Sequence, residues 1–163
     1  MIELLVAMTI LNVALLAIVA VFGSSSVALR RASRISTASA VADQQMEVFR
    51  GLAWSTIGLD SASVSAADST YKCDPALGGS CPNSTAPIVT AGAPGCVAPL
   101  PGNCLPTRTV TGPDQNRYRI DTYITSVTTV GGRATKQVTI VVRDLGNGSQ
   151  TLVREASTFD QLG

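Results

Sequence analysis

The sequence predicts an α+β protein in which an N-terminal helix of about 50 residues packs its C-terminal half on an antiparallel β-meander. Three observations lead to this prediction. The N-terminal third carries an uncharged apolar run that continues into apolar residues at helical spacing. The C-terminal third is rich in β-branched residues, and glycine turns separate its segments. Between the two lies a stretch dense in proline and cysteine, which we expect to form a disulfide-stapled loop.

The N-terminal segment is apolar over the length of a membrane span. Between Leu4 and Phe22 no side chain is charged, and only Thr9 and Asn12 are polar. These roughly 19 residues, at about 1.5 Å of helical rise each, cover nearly the whole hydrocarbon layer of a bilayer. We therefore predict a transmembrane or filament-core helix over residues 1–26. The Gly-Ser-Ser-Ser run that ends it is expected to soften the helix, because glycine and serine favour other backbone states.

Residues 27–53 continue the helix with an amphipathic pattern. Apolar residues recur there at steps of three and four, which places them on one helical face. The members of this face are Ile35, Ala38, Ala42, Met46, Phe49 and Ala53. Because charged and polar residues occupy much of the rest, we predict that this face packs on a globular head formed by residues 54–163.

The first part of the head is predicted to be irregular. Residues 54–70 are rich in serine and alanine and are expected to form a connecting loop. Residues 71–106 contain all four cysteines and many prolines, and prolines at that density exclude a helix or a central strand. An irregular loop of this length is tolerable only if covalent bonds hold it together.

The four cysteines predict two disulfides in an oxidising compartment, since they follow a segment long enough to span a membrane. They are Cys73, Cys81, Cys96 and Cys104. Four cysteines allow three pairings, and the equal spacing within each half favours the local one, Cys73 with Cys81 and Cys96 with Cys104. A four-thiolate zinc site is the alternative, but such sites usually have CxxC spacings.

Four segments of the C-terminal part are predicted to be strands, namely residues 107–111, 117–130, 135–144 and 150–157. A Gly-Gly pair at 131–132 predicts a two-residue hairpin turn, and Leu-Gly-Asn-Gly at 145–148 predicts a turn with positive φ angles. In the third strand Val138, Ile140 and Val142 alternate with polar residues. One face of the sheet, residues 107–157, is therefore apolar and can bury the amphipathic half of the helix.

The composition excludes several classes of function. The chain has no histidine, so Ser/His and Cys/His catalytic pairs and histidine metal sites are impossible. A net charge of +1 with 14% charged residues gives no broad basic field for nucleic acid. No glycine motif between a strand and a helix offers a phosphate cradle. We therefore predict a protein that is not an enzyme and that has no cofactor and no metal site.

Glu3 is the one charged residue of the apolar segment, and it stands in the run Ile2-Glu3-Leu4-Leu5-Val6-Ala7. An unpaired carboxylate among apolar residues is costly, so it predicts a cationic partner. This run resembles the N-terminal segment of type IV pilins and type II secretion pseudopilins, whose signature is Gly, an aromatic residue, Thr, Leu, Ile, Glu, Leu, Leu, Val and Ala. The resemblance is specific over residues 1–22 and weak elsewhere. It implies that Met1 takes the third position of a mature protein and that the cleavage site lies upstream.

The resemblance also implies the pilin fold and a structural role. The chain would be a main or minor subunit of a type IV pilus-like extracellular filament or pseudopilus, held in the inner membrane until helix packing assembles it. The implied partners are identical or related pilin subunits, the membrane before assembly, a prepilin peptidase and the pilus assembly machinery. The head would be extracytoplasmic and would become part of an extracellular filament.

In this hypothesis Glu3 pairs with the free N-terminal amine of its own or a neighbouring subunit, which sets the axial register between subunits. Apolar residues would form the contact between helices, namely Leu4, Leu5, Val6, Leu11, Leu15, Leu16, Ile18 and Val19. A plainer alternative is a membrane anchor whose Glu3 is solvated among the headgroups. Another is a membrane-anchored extracytoplasmic binding module that uses the cysteine-rich loop for recognition.

The orientation of the segment rests on opposing observations. Arg30, Arg31 and Arg34 follow the apolar run, and the positive-inside tendency alone would favour a cytoplasmic C-terminal side. The cysteines and the resemblance favour an outward-facing head. A cleaved signal peptide is a further alternative, but the apolar run is too long for one and Glu3 stands where basic residues are expected.

Overall fold

A computed structural model of the chain describes residues 2–78, 88–91, 95–128 and 132–161. The helices are α1 (Ile2–Arg50), α2 (Ser61–Ala66) and α3 (Ser69–Lys72), and the strands are β1 (Thr107–Thr111), β2 (Arg117–Thr128), β3 (Ala134–Asp144) and β4 (Gln150–Asp160). Short 3-10 turns cover Trp54–Thr56, Pro75–Leu77, Gly102–Cys104 and Leu145–Asn147. The chain divides into two compact units, Met1–Ser36 and Thr37–Gly163. The fold is the predicted α+β arrangement.

Helix α1 confirms the predicted long helix and ends at Arg50. It continues without interruption through the Gly-Ser-Ser-Ser run that was expected to soften it. The hydroxyls of Ser24 and Ser25 donate to the carbonyl of Val21 at 2.9 and 2.8 Å. The hydroxyl of Ser26 donates to the carbonyl of Gly23 at 2.9 Å. The serine hydroxyls therefore form hydrogen bonds within the helix, and the helical backbone continues through this run.

The main core lies between the C-terminal part of α1 and one face of the sheet. Four of the six residues predicted for the buried helical face, Ala38, Ala42, Met46 and Phe49, are fully buried. They belong to one cluster with Tyr118, Ile120, Ile124, Val138, Ile140 and Val142 of the sheet. The prediction was wrong for the two end positions, because Ile35 lies in the first unit at 38% exposure and Ala53 lies exposed beyond the helix end.

All four strands form one antiparallel sheet in the order β1-β2-β3-β4. The predicted strands are confirmed within the described residues, and the last two residues predicted for β2, 129–130, lie outside them. Strand β4 is three residues longer than expected, because the alternation of half-buried and exposed residues continues through Phe159, which packs on the main core, to Asp160. A register shift lies between Val142 and Arg143. In the turn before β4 positive φ angles occur at Gly148, at 63°, as predicted for that glycine-rich turn, and at Ser149, at 61°. The predicted hairpin turn at 131–132 lies partly outside the described residues.

The prediction of a plain loop over residues 54–70 was wrong, because a 3-10 turn and helices α2 and α3 lie there. Aspartates begin both helices. The side chain of Asp60 accepts a hydrogen bond from the backbone of Ser63 at 2.8 Å, and that of Asp68 accepts one from Tyr71 at 3.0 Å. Helices of six and four residues are too short to show an apolar period. The two N-cap aspartates are therefore the sequence features that indicate these helices.

The cysteine-rich segment is tied to the head by disulfides. Cys96 and Cys104 form the predicted local bond, with the Cα atoms 5.7 Å apart. Cys73 is also disulfide-bonded, whereas Cys81, its predicted partner, lies outside the described residues. Because Cys96 and Cys104 are bonded to each other, they do not supply thiolates for the four-thiolate zinc alternative.

The second face of the sheet is covered as well, which the sequence did not predict. The rings of Tyr71 and Tyr123 stack with their centroids 4.4 Å apart, and Leu77 and Val141 complete this smaller cluster. The hydroxyl of Tyr71 donates to the carbonyl of Thr122 at 2.8 Å. The head is therefore three layers deep, with α1 on one face of the sheet and the segment from α3 to Leu77 on the other.

A ladder of alternating charges fastens this outer segment to the sheet. Its members, in spatial order, are Arg154, Asp74, Arg143, Asp121, Arg119 and Asp68. Arg143 and Arg119 both donate to Asp121, at 2.8 and 2.7 Å. Arg119 also donates to Asp68 at 2.7 Å. We name this set the charge ladder. Because each aspartate lies between or beside arginines, its charge is balanced.

Replacing Asp121 by asparagine is expected to lower the free energy of unfolding by about 3 kcal/mol, because it leaves the charge ladder with three arginines and two aspartates and so with one uncompensated positive charge at Arg119 and the buried Arg143. Asp121 is fully buried. Denaturant unfolding of the full chain in mild detergent, followed by the fluorescence of the single tryptophan, Trp54, measures the change. The matched control is Glu47→Gln, which breaks the exposed pair of Glu47 and Arg50 and should cost less than about 0.5 kcal/mol. Equal losses in the two variants would contradict the assignment.

Candidate functional site

The candidate site is the surface of α1 within the first unit. Residues 2–33 are all exposed. The large apolar residues predicted to form a contact between helices are 52% to 71% exposed, and they are Leu4, Leu5, Val6, Leu11, Leu15, Leu16, Ile18 and Val19. All of them therefore lie on one helix, as predicted, and none is part of the protein core.

This helix is long and apolar enough to cross a membrane. Its most apolar 18-residue window has a mean hydropathy of 2.8, and none of that window is buried. The core helix of a soluble protein would bury such residues, whereas here water would meet a large continuous apolar surface. This part of α1 is therefore suited to anchoring in a membrane or to contact with another protein.

Thr9 and Asn12 are the two polar residues between Leu4 and Phe22, and they differ in their hydrogen bonds. The hydroxyl of Thr9 donates to the carbonyl of Val6 at 2.8 Å, so it is satisfied within the helix. Within the described part of the chain, no hydrogen bond involves the side-chain amide of Asn12. An amide in an apolar layer is stabilised by a hydrogen bond to a neighbouring helix, so Asn12 is a candidate contact that the sequence analysis did not single out.

Glu3 lies exposed in the first turn of α1, where a negative charge favours the helix dipole. No ion pair or hydrogen bond joins its carboxylate to any residue that the structure describes. The next charged residues along the chain are Arg30 and Arg31. At about 1.5 Å of rise per residue they lie about 40 Å further along the helix, so they cannot reach the Glu3 of their own chain. A cation for Glu3 must come from the terminal amine or from another molecule.

The head has its own concave surfaces. One cavity of about 460 Å³ lies at the C-terminal end of α1 and is lined by Leu52, Ala53, Trp54, Ile57, Thr158, Phe159 and Asp160. Asp160 is the one ionisable side chain in this lining. An apolar group could bind there, but a single carboxylate does not provide an acid and a base for catalysis.

Lys136 holds one wall of this cavity in place. Its ammonium group lies 4.1 Å from the centroid of the Trp54 ring and donates to the carbonyls of Trp54 and Ile57, both at 2.7 Å. Burial lowers the pKa of Lys136, because the charged form loses its hydration. The sequence did not predict that Lys136 would be buried and would donate to the carbonyl of Ile57, which lies 79 residues away along the chain.

The cysteine-rich loop was the predicted recognition surface of the alternative function. Residues 79–87 and 92–94 of this loop lie outside the described residues, so its surface as a whole stays a prediction. Its described part packs closely on the connecting segment. A Cβ atom added at Gly58 would lie 2.5 Å from the Cβ atom of Ala91, so only glycine fits at that contact.

The charge ladder makes the free energy of unfolding of the head depend on pH. A hydrogen bond from Arg119 lowers the pKa of Asp68 from 3.8 to about 2. A carboxyl group whose pKa is lower in the folded state stabilises the fold above its unfolded pKa and loses that effect as the pH falls towards its folded pKa.

The free energy of unfolding is therefore expected to decrease as the pH falls from about 4 to about 2, because Asp68 becomes protonated and releases Arg119. Denaturant unfolding of the full chain in mild detergent across this range measures the effect. Since Asp68 is half exposed, Asp68→Asn should cost about 1 kcal/mol at neutral pH and should flatten the pH dependence below pH 4. An unchanged pH profile in this variant would show that Asp68 does not contribute.

No protein-family model, no curated protein and no solved structure matches this chain.

Proposed function

We propose that this chain is a structural subunit of a type IV pilus-like extracellular filament or pseudopilus, which waits in the membrane and then assembles by helix packing. The observation that carries the proposal is the exposed apolar length of α1 with Glu3 at its tip, which has no ion pair with any residue that the structure describes. The resemblance of residues 1–22 to pilins and pseudopilins supports it independently. Its functional surface is a contact between subunits, with no active site.

The first step of the proposal is insertion in a membrane. Residues 4–29 carry no charged side chain, and the exposed Arg30 and Arg31 follow them. The apolar part from Leu4 to Phe22 matches the hydrocarbon layer, and a further eight residues of helix, about 12 Å, bring the two arginines to the headgroup level. Lipid then covers the apolar surface until other subunits replace it.

The second step is the replacement of lipid by neighbouring helices. Leucine, isoleucine and valine side chains supply the packing area. Asn12 supplies an amide that can form a hydrogen bond across a helix pair, which adds about 1 kcal/mol in an apolar layer. Alanines at positions 7, 14, 17 and 20 lie among the large side chains, so neighbouring helices can approach closely there.

The third step fixes the axial position of each subunit. Glu3 pairs with the free N-terminal amine of its own or a neighbouring subunit after processing. In an apolar fibre core two opposite charges attract far more strongly than in water, and an unpaired carboxylate would be costly there. Where the amine belongs to a neighbouring subunit, only the register that places it beside Glu3 avoids this cost, so the pair then selects one stagger of the helices.

The partners follow from these steps. They are identical or related subunits in the filament, the membrane before assembly, and the prepilin peptidase and assembly machinery that the resemblance implies. Disulfides in the head agree with an extracytoplasmic location, because they persist in oxidising compartments. The second candidate, a membrane-anchored binding module, shares the anchor and the disulfides but needs neither Glu3 nor contact between helices.

Glu3→Gln is expected to reduce filament assembly at least tenfold while membrane insertion stays unchanged, because the amide keeps the shape of the side chain and loses its charge. The variant is expressed together with its assembly machinery, and the chain is quantified in the sheared filament fraction and in the membrane fraction. Glu47→Gln on the same helix is the matched control and should assemble normally, since Glu47 forms an exposed pair with Arg50.

Two results would contradict the proposal. Normal filament yield from Glu3→Gln would show that the charge does not direct assembly. Absence of the wild-type chain from any sheared filament fraction, with normal membrane insertion, would favour the anchored binding module.

A further inference from the structure

Two arginines are the first charged residues after the apolar segment of α1. Between Glu3 and Arg30 no side chain is charged, and no acidic residue occurs between Glu3 and Asp43. Arg30 and Arg31 are both exposed. Within the part of the chain that the structure describes, no ion pair or hydrogen bond joins either guanidinium group to another residue. This section of the helix therefore carries two positive charges that the chain itself does not compensate.

The length of helix before these arginines places them at a membrane surface. Residues 4–22 cover the hydrocarbon layer, and Arg30 follows Phe22 by eight residues, or about 12 Å of helix. Side chains on a helix tilt towards its N-terminus, so the long side chains of Arg30 and Arg31 reach back towards the apolar segment. Once that segment is inserted, both guanidinium groups therefore lie in the layer that contains the lipid phosphates.

The residues just before the arginines suit the same layer. Phe22, Val27 and Leu29 are exposed, and an aromatic ring is favoured at the boundary between hydrocarbon and headgroups. The hydroxyls of the three serines at 24–26 donate to carbonyls of the helix, so these side chains do not depend on water for a hydrogen bond. The helix therefore has an apolar surface close to the arginines, which keeps their charges beside the membrane.

We propose that Arg30 and Arg31 bind the phosphate groups of anionic phospholipids, in the leaflet at the C-terminal end of the apolar segment. Arginine forms paired, charge-assisted hydrogen bonds with phosphate oxygens. A zwitterionic headgroup has a cation of its own that competes for its phosphate, whereas an anionic headgroup has none and supplies the missing counter-charge. The contact rests on the membrane step of the proposed function and does not require a filament.

The contact is confined to one end of the apolar segment. Glu3, at the other end, has an acidic side chain and offers no attraction for an anionic headgroup. Arg34 lies one turn beyond Arg30, about 6 Å further from the hydrocarbon layer, and is partly buried. Arg30 and Arg31 therefore combine the position and the exposure that the contact needs.

Electron paramagnetic resonance of spin-labelled lipids tests the proposal on the full chain in phosphatidylcholine vesicles. The fraction of lipid that the protein immobilises is measured separately with labelled phosphatidylglycerol and labelled phosphatidylcholine. The wild type is expected to prefer phosphatidylglycerol about fivefold, which is the effect of one arginine near an anionic headgroup. The double variant Arg30→Gln/Arg31→Gln should lose most of this preference, and added salt should weaken it in the wild type.

The matched control is Arg133→Gln, which removes an exposed arginine of the head and should leave the lipid preference unchanged. The thermal unfolding midpoint of the head should be the same in the double variant and the wild type, because Arg30 and Arg31 belong to the first unit. Equal binding of the two lipids by the wild type would overturn the proposal. An unchanged preference in the double variant would overturn it as well.

Flotation of the vesicles separates this result from a failure of the proposed function. A wild-type chain that does not float with the vesicles would contradict the membrane step, and the lipid contact with it. A chain that floats but shows no lipid preference would overturn the lipid contact alone. If the double variant then also assembles poorly, the arginines pair with acidic residues of a neighbouring subunit instead of lipid.

Discussion

The structure depends on one constraint: residues 4–29 of α1 present an uncharged and exposed surface that the chain itself does not cover. Covering apolar surface is the largest favourable contribution in folding and association, so such a length of helix requires a partner. Lipid and neighbouring helices are both suitable partners, and the proposed function uses them in succession. In the proposed function Glu3 distinguishes between these partners, because lipid tails offer its carboxylate no cation whereas a neighbouring subunit would offer an amine.

The head must remain folded while it packs on only the C-terminal part of α1. Its sheet is buried on both faces, by the apolar face of α1 and by the segment from α3 to Leu77. The charge ladder and the disulfide of Cys104 fasten irregular backbone that has few apolar contacts of its own.

Local patterns predicted much of this fold. The 3.6-residue period located the helix and most of its buried face, and the alternation in 135–144 located β3 and its apolar side. Contacts between distant residues could not be predicted: Arg143 meets Asp74 across 69 positions and Tyr71 meets Thr122 across 51. Gln45 is buried beside Ala42, Met46 and Phe49 although its own side chain is polar. In the candidate site the apolar residues and their exposure follow from the composition of residues 4–22.

An atomic structure of the assembled state, determined by electron cryomicroscopy, tests the central claim most directly. The account predicts that helices of neighbouring subunits touch along residues 4–22 and that a carboxylate oxygen of Glu3 lies within about 4 Å of an N-terminal amine, the reach of an ion pair. Helices that do not touch one another, or a Glu3 carboxylate that faces open solvent, would contradict it.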